Sequence, residues 1–164
     1  MEAAGNFESK KRILKGCIRM AKVVAINISE KKGEMKHPIE KGLFREEHGL
    51  VGDAHAGKWH RQVSLLGNES IEKMKKMGAE GLCFGNFAEN LTTEGIVLYE
   101  LPVGTKLKIG ETVMEVTQIG KECHMGCAIR EQVGDCIMPR EGIFTRVLTG
   151  GWIKAGDEIE VLAK

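Results

Sequence analysis

Two stretches of this sequence concentrate side chains capable of chemistry. One runs from Gly120 to Cys127 and continues at Gly134 to Gly142, so Cys123, Cys127 and Cys136 fall close together along the chain. Lys121 and His124 flank Cys123, and cationic neighbours lower a thiol's pKa and favour the thiolate. A thiolate can attack sulfur, carry a persulfide or bind a soft metal. Two blander roles suit the same residues. Free cysteine is often a small buried hydrophobe, the role expected for Cys83 and Cys136. Alternatively Cys123, Cys127, Cys136 and His124 form a zinc knot, since Cys-x3-Cys is a permissible zinc spacing. Spacing alone leaves core, metal and reactive thiol open.

The second stretch, His48 to Val63, carries His48, His55, His60, Asp53, Lys58 and Arg61 on a loop punctuated by Gly49, Gly52 and Gly57. Loops on a rigid scaffold commonly carry binding groups. Glycines let backbone N–H groups approach an anion, and Lys58 or Arg61 adds charge-assisted hydrogen bonds to phosphate. The competing role is a glycine-rich turn whose polar groups merely satisfy the backbone. A zinc site built from the three histidines is disfavoured, because gaps of seven and five positions match no short-spaced ligand pair.

The elements that must hold these loops read as mainly β. Val23 to Ile28 is a short apolar, β-branched run suited to a buried strand. Ile39 to Phe44 and Gln62 to Leu66 follow as further strands. One helix is expected after Leu66, capped by Asn68, with Glu69 and Glu72 in its first turn, Ile71 and Met74 on its inner side, and Gly78 closing it. Its Lys73, Lys75 and Lys76 face water or the C-terminal dipole. Gly104 to Val113 and Gly150 to Ile159 form a faint internal repeat, each read as strand, glycine turn and returning strand. With 21 glycines and no complete βαβ repeat legible, the expected architecture is a compact β-barrel with one or two short helices.

The chain has 164 residues, enough for one domain with its own core. Its 24 Lys and Arg balance 23 Asp and Glu, which excludes a general nucleic-acid coat. No apolar run approaches the ~20 residues that span a bilayer, and the start lacks the apolar core of a signal peptide. A cytoplasmic protein with free thiols is expected, its five cysteines being an odd number. Residues 1–19 read as an N-terminal extension and 20–164 as the domain.

Gly49 to Gly57 and Phe84 to Gly95, followed by Gly120 to Cys127, Gly134 to Gly142 and Gly156-Asp157, occur in the order found in the MOSC domain family, named for the C-terminal domain of molybdenum-cofactor sulfurase. The sequence resembles its short stand-alone bacterial branch over roughly Met20 to Val161. The resemblance implies a β-barrel-like fold that binds the molybdenum cofactor (molybdopterin) and uses a key cysteine to carry sulfur or ligate molybdenum. Cys123 matches that cysteine as catalytic residue and metal ligand, with Cys127 as the rival. His55, Lys58, His60, Arg61, Lys121, His124 and Arg140 are implied cofactor contacts. Relatives that reduce N-hydroxylated compounds imply an alternative activity with a separate electron donor, and a zinc-structured binding module is the non-enzymatic alternative. Implied partners are a molybdopterin-biosynthesis protein or molybdoenzyme, or an electron or sulfur donor protein. Neither nucleic acid nor membrane is implied. Phe84 to Asn90 stands where larger members carry Arg-Pro-Asn, and the separate N-terminal β domain of those members is not represented. A second copy of the chain, in a homo-oligomer, or a partner would then close the pocket.

Overall fold

The computed structural model describes residues 21–121 and 136–162. The N-terminal extension, and with it most of the proposed domain boundary, lies outside the described residues. Eleven strands and two α-helices are described: β1 (Lys22–Ile28), β2 (His37–Ile39), β3 (Lys41–Arg45), β4 (Gly49–Leu50), β5 (Val63–Gly67), α1 (Asn68–Lys76), β6 (Leu91–Glu94), β7 (Lys106–Ile109), β8 (Thr112–Ile119), α2 (Met138–Glu141), β9 (Ile143–Thr149), β10 (Gly151–Lys154) and β11 (Ile159–Val161). A 3-10 turn spans Leu98–Glu100. Eight strands form one sheet in the order β11-β7-β8-β9-β5-β6-β1-β2, and β10-β3-β4 form a smaller one. The mainly β expectation, with two short helices, holds.

The barrel does not close as a continuous ladder. Among the described residues, the β11 edge of the large sheet meets the start of β1 at one isolated bridge, Lys22 to Glu158, helped by backbone bonds from Val23 N to Asp157 O and from Ile159 N to Ala21 O, each 2.8 Å. The reason lies on β1. Its far half, Ile26 to Ile28, is taken by β2, which leaves only the strand's beginning for the β11 side.

The centre of the fold is β5, whose five residues are all buried. A strand covered on both faces is apolar throughout, unlike one with a wetted face. Val63 and Leu65 point into the main core with Ile26, Leu91, Val116 and Ile143. Leu66 points the other way, into a second cluster with Ile71 and Met74 of α1 and with Ile137, Met138 and Phe144. Neighbouring β9 alternates in the same manner, placing Ile143 in the first cluster and Phe144 in the second. β5 and β6 pair in parallel, which demands a crossover. Helix α1 lies in that crossover, so β5, α1 and β6 form a βαβ unit that the sequence pattern did not reveal.

Two local expectations are corrected. Gly67, not Asn68, is the N-cap of α1, and it makes no side-chain cap bond. The chain passes directly from strand to helix at Gly67, placing Asn68 within the first turn. Gly78 does close the helix, with φ +104° and its N–H bonded to Lys75 O. The second correction concerns the repeat. Its first copy is a true hairpin, β7 against β8. In the second copy β10 pairs with β3 and β11 with β7, so the chain changes sheets. Asp157 Oδ2 accepts from Lys154 N at 2.9 Å, and Gly156 N donates to Val23 O at 2.8 Å. The turn is thereby anchored on β1 instead of folding back on itself. Lys73 also differs from a purely solvated lysine, pairing with Glu141 of α2 at 2.9 Å.

Two glycines with similar backbone angles separate conformational strain from steric collision. Gly104 (φ +95°) has open space where a Cβ would lie, whereas a Cβ on Gly85 (φ +92°) would sit 2.3 Å from Lys36 O. Gly104→Ala is expected to cost about 1–2 kcal/mol of strain. Gly85→Ala should cost about 3 kcal/mol or more, because backbone must move. Urea unfolding midpoints of the two variants check this.

Candidate functional site

The site is built outward from a buried ion pair. Lys36, just before β2, is 3% exposed, and its Nζ lies 2.6 Å from Asp53 Oδ1 in the glycine-rich loop, the two side chains being 1% and 0% exposed. The Lys36 ammonium also donates to Ser29 Oγ at 3.1 Å and meets His55 Nδ1 at 3.2 Å, so its three protons have three partners. Asp53 Oδ1 accepts from Ser29 N at 3.1 Å, and Oδ2 accepts from His55 N at 3.2 Å. Burial alone would raise the Asp53 pKa. It is outweighed by the Lys36 hydrogen bond, the Ser29 N–H, the Lys36 charge and a contribution from Asn90, so the carboxyl sits below its ordinary value. His55 is pushed below its ordinary value by burial first and then by the Lys36 charge, with Lys121 and Lys32 adding to the effect and Asp53 opposing it.

Arg61 enters just before β5. Its guanidinium carbon lies 4.5 Å from the Trp59 ring centroid and 5.5 Å from that of Phe144. Arg61 Nε is buried and has no hydrogen-bond partner among the described residues. Such an N–H is costly unless something accepts from it. Around this cation lies a cavity of about 60 Å³ whose walls include His55, Trp59, Arg61, Lys121, Met138 and Phe144. Of the residues proposed from sequence, His55, Arg61 and Lys121 are thus brought together.

Lys58 and His60 are not in that cavity. They line a neighbouring open groove of about 940 Å³, together with Thr117, Arg146 and Glu115. Lys58 is exposed and lies 3.8 Å from Glu47, and a His60 ring nitrogen lies 2.9 Å from Gln118 Oε1. Trp59 borders both spaces. Arg140 is exposed on α2 and is not among the described residues lining the small cavity. Cys123, Cys127 and His124 lie outside the described residues. Cys136 is buried beside Ile137 and Met138, as expected for a core thiol. Cys83 is exposed, contrary to expectation, because it sits in the surface turn before Asn86 instead of on an element facing the core. Among the described residues no three His, Cys, Asp or Glu side chains come together to hold a metal, so His48, His55 and His60 do not form a zinc site. No described helix is long and apolar enough to cross a membrane.

Sequence reasoning missed Lys36 altogether. It stands in a polar run, Lys31 to His37, that reads as solvated turn, and no periodicity marks it as buried. The segment Phe84 to Asn90 was legible as a motif but not as a role. Glu89 is fully buried and accepts from Gly85 N at 2.5 Å, Phe87 N at 3.1 Å and Thr92 Oγ1 at 3.2 Å. Burial nonetheless raises its pKa above the ordinary carboxyl value. Asn90 Oδ1 accepts from Ser64 N and Oγ, both at 3.1 Å, while Nδ2 donates to Asn27 O at 3.3 Å. These residues pin β5, β1 and the turn behind the cavity.

A mainly β scaffold thus carries a small cavity lined by Arg61, Lys121 and His55 between its loops. A family model for the MOSC domain matches residues 52–160, and the chain belongs to that family. Its fold is similar to the crystal structure of the YuaD protein from Bacillus subtilis, at 20% identity and a TM-score of 0.74, covering 89% of this chain and 97% of that one. It is also similar to YiiM from Geobacillus stearothermophilus (17% identity, TM-score 0.66, 87% and 75% covered). YiiM from Escherichia coli is a further neighbour (18% identity, TM-score 0.62, 89% and 71% covered). At these identities the likeness is one of fold. No curated protein matches the chain.

The ion pair sets the pH response. Above about pH 6.5 the neutral His55 contributes its full stability; as pH falls below that value the unfolded chain takes up a proton that the folded ring resists. The Asp53 contribution is present above about pH 3.8 and is lost as pH drops through its lowered folded value. The melting temperature should therefore fall between about pH 7 and pH 5, and a His55→Gln variant should show a shallower fall over that range. Lys36→Met strands a buried carboxylate and should cost about 3–5 kcal/mol in urea unfolding.

Proposed function

We propose that this MOSC domain binds molybdopterin or its molybdenum form through an anionic group held at Arg61, His55 and Lys121, and that a thiol following Lys121 handles sulfur or ligates the metal. The observation that carries the binding reading is the half-buried Arg61, which lines the cavity beside two aromatic rings and has a buried Nε with no partner among the described residues. Donor-only groups in a partly dehydrated cleft suit a phosphate-type oxyanion. Room of about 60 Å³ corresponds to about two waters at their liquid volume. The residues therefore fit a cofactor's small anionic end but not its fused ring. Trp59 leads from this cavity to the larger groove, where Lys58 and His60 stand as outer contacts.

When bound, the cofactor supplies the redox or sulfur-accepting chemistry of molybdenum. This chain's own residues bind and orient. Arg61 and Lys121 neutralise the anion, Trp59 and Phe144 hold the guanidinium plane, and His55 supplies a further hydrogen bond. Cys123 follows the cavity residue Lys121 by two positions in sequence, which supports it over Cys127 as the working thiol. Sulfur or electrons are supplied in this reading by a separate donor protein.

Protein isolated from a molybdenum-replete host should carry molybdenum and pterin. Arg61→Ala should lower retention about tenfold to a hundredfold, the cost of losing charge-assisted hydrogen bonds. Cys123→Ala should abolish persulfide or molybdenum at the thiol, whereas Cys127→Ala should leave it in place. Protein free of both molybdenum and pterin, with no persulfide on either cysteine by mass spectrometry, would sink the assignment.

A further inference from the structure

We propose that Lys36 is a positioning residue for this site: from the buried side its ammonium holds His55 Nδ1 as an acceptor, and so fixes the ring as an Nε2–H donor. The inference rests on the anion-binding reading above and adds the protonation pattern that makes the cavity selective. A neutral imidazole has one donor and one acceptor nitrogen. An ammonium only donates, and the contact between Lys36 Nζ and His55 Nδ1 is 3.2 Å. Paired with the Asp53 carboxylate at 2.6 Å, Lys36 is the donor in both contacts. The single ring proton then belongs on Nε2.

His55 is also held in place through its backbone. Its N–H donates to Asp53 Oδ2 at 3.2 Å, and its carbonyl accepts from Trp59 Nε1 at 3.0 Å. Among the described residues, the charges acting on the ring are Lys36, Lys121 and Lys32, opposed by the carboxylate of Asp53, whose own charge is shared with Lys36. A second ring proton would set two cations 3.2 Å apart on the buried side, at a cost that rises as the local dielectric falls. The ring therefore stays a neutral donor. The consequence is chemical selectivity. His55 Nε2–H, Arg61 and Lys121 all donate, so the favoured ligand group accepts at every edge: a deprotonated oxyanion such as phosphate. A group that must itself donate finds no acceptor among these three.

The test uses the full chain with ¹⁵N-labelled histidine and long-range ¹H–¹⁵N correlation, His55 being assigned by loss of its signals in His55→Gln. The wild-type ring should show a protonated Nε2 and a bare Nδ1, and should keep that pattern as pH is lowered through about 6.5. The double variant Lys36→Met/Asp53→Asn removes both buried charges together and avoids stranding either. In it the tautomers should mix, the ring should titrate near the ordinary value, and inorganic phosphate affinity measured by calorimetry should fall about tenfold. An Nδ1–H tautomer or an imidazolium at neutral pH in the wild type overturns the proposal, with no variant required. A double variant that folds yet keeps the wild-type ring pattern overturns it equally. A fixed Nε2–H ring in wild-type protein that binds neither phosphate nor pterin upholds the role of Lys36 and removes the anion-binding function instead.

Discussion

The contact between Lys36 and Asp53 is the constraint around which this molecule is arranged. Two opposite charges withdrawn from water lose hydration worth several kcal/mol each, and mutual attraction compensates only if every remaining proton and lone pair finds a partner. That requirement draws three separate pieces of chain together. Ser29 at the end of β1 supplies an N–H and a hydroxyl. The loop after β4 supplies Asp53 and the backbone of His55. The turn before β6 passes directly over Lys36, whose N–H donates to Gly85 O at 3.1 Å. Only a residue without a Cβ fits there. Glu89 and Asn90 then tie the same turn to β5 and β1, so disturbing the pair would be felt on both strands.

A second constraint brings Arg61 to the cavity. Gln62 is buried, and its Oε1 accepts from Val147 N at 2.9 Å, locking the start of β5 onto β9. Gly49 approaches the Gln62 carbonyl so closely that a Cβ would lie 2.6 Å from it. Arg61, one residue earlier, has its direction set by this clamp and by the rings of Trp59 and Phe144. Phe144 faces the second cluster because β9 alternates while β5 is buried on both faces. The cavity therefore lies where the second core reaches the surface, beside the glycine-rich loop and the end of β8.

Much of this is legible in the order of residues. The apolar β-branched runs at Val23 to Ile28 and Gln62 to Leu66 became β1 and β5, and Gly110 marked a true hairpin. His55 and Arg61 stood out because histidines and an arginine on a glycine-punctuated loop are an unusual concentration of polar chemistry. The failures share one cause. Asn68, the second repeat and Cys83 depart from what local pattern predicts, because their outcomes depend on their surroundings in the fold: the β5 junction, the anchor of Gly156 on Val23, and a surface turn around Asn86.

Alternation, turn residues and side-chain chemistry depend on short stretches of chain, so the β-rich character, the glycine turns and the membership of the cation-bearing loop follow from the order of residues alone. Which groups meet was decided only by the tertiary structure. A polar lysine such as Lys36 carries no local mark of burial, since its environment is supplied by residues 7 to 19 positions away and by Gly85 across the fold. The same holds for the separation of His55 and Arg61 from Lys58 and His60. Four neighbours on one loop were divided between two cavities by where Trp59 and the start of β5 came to rest.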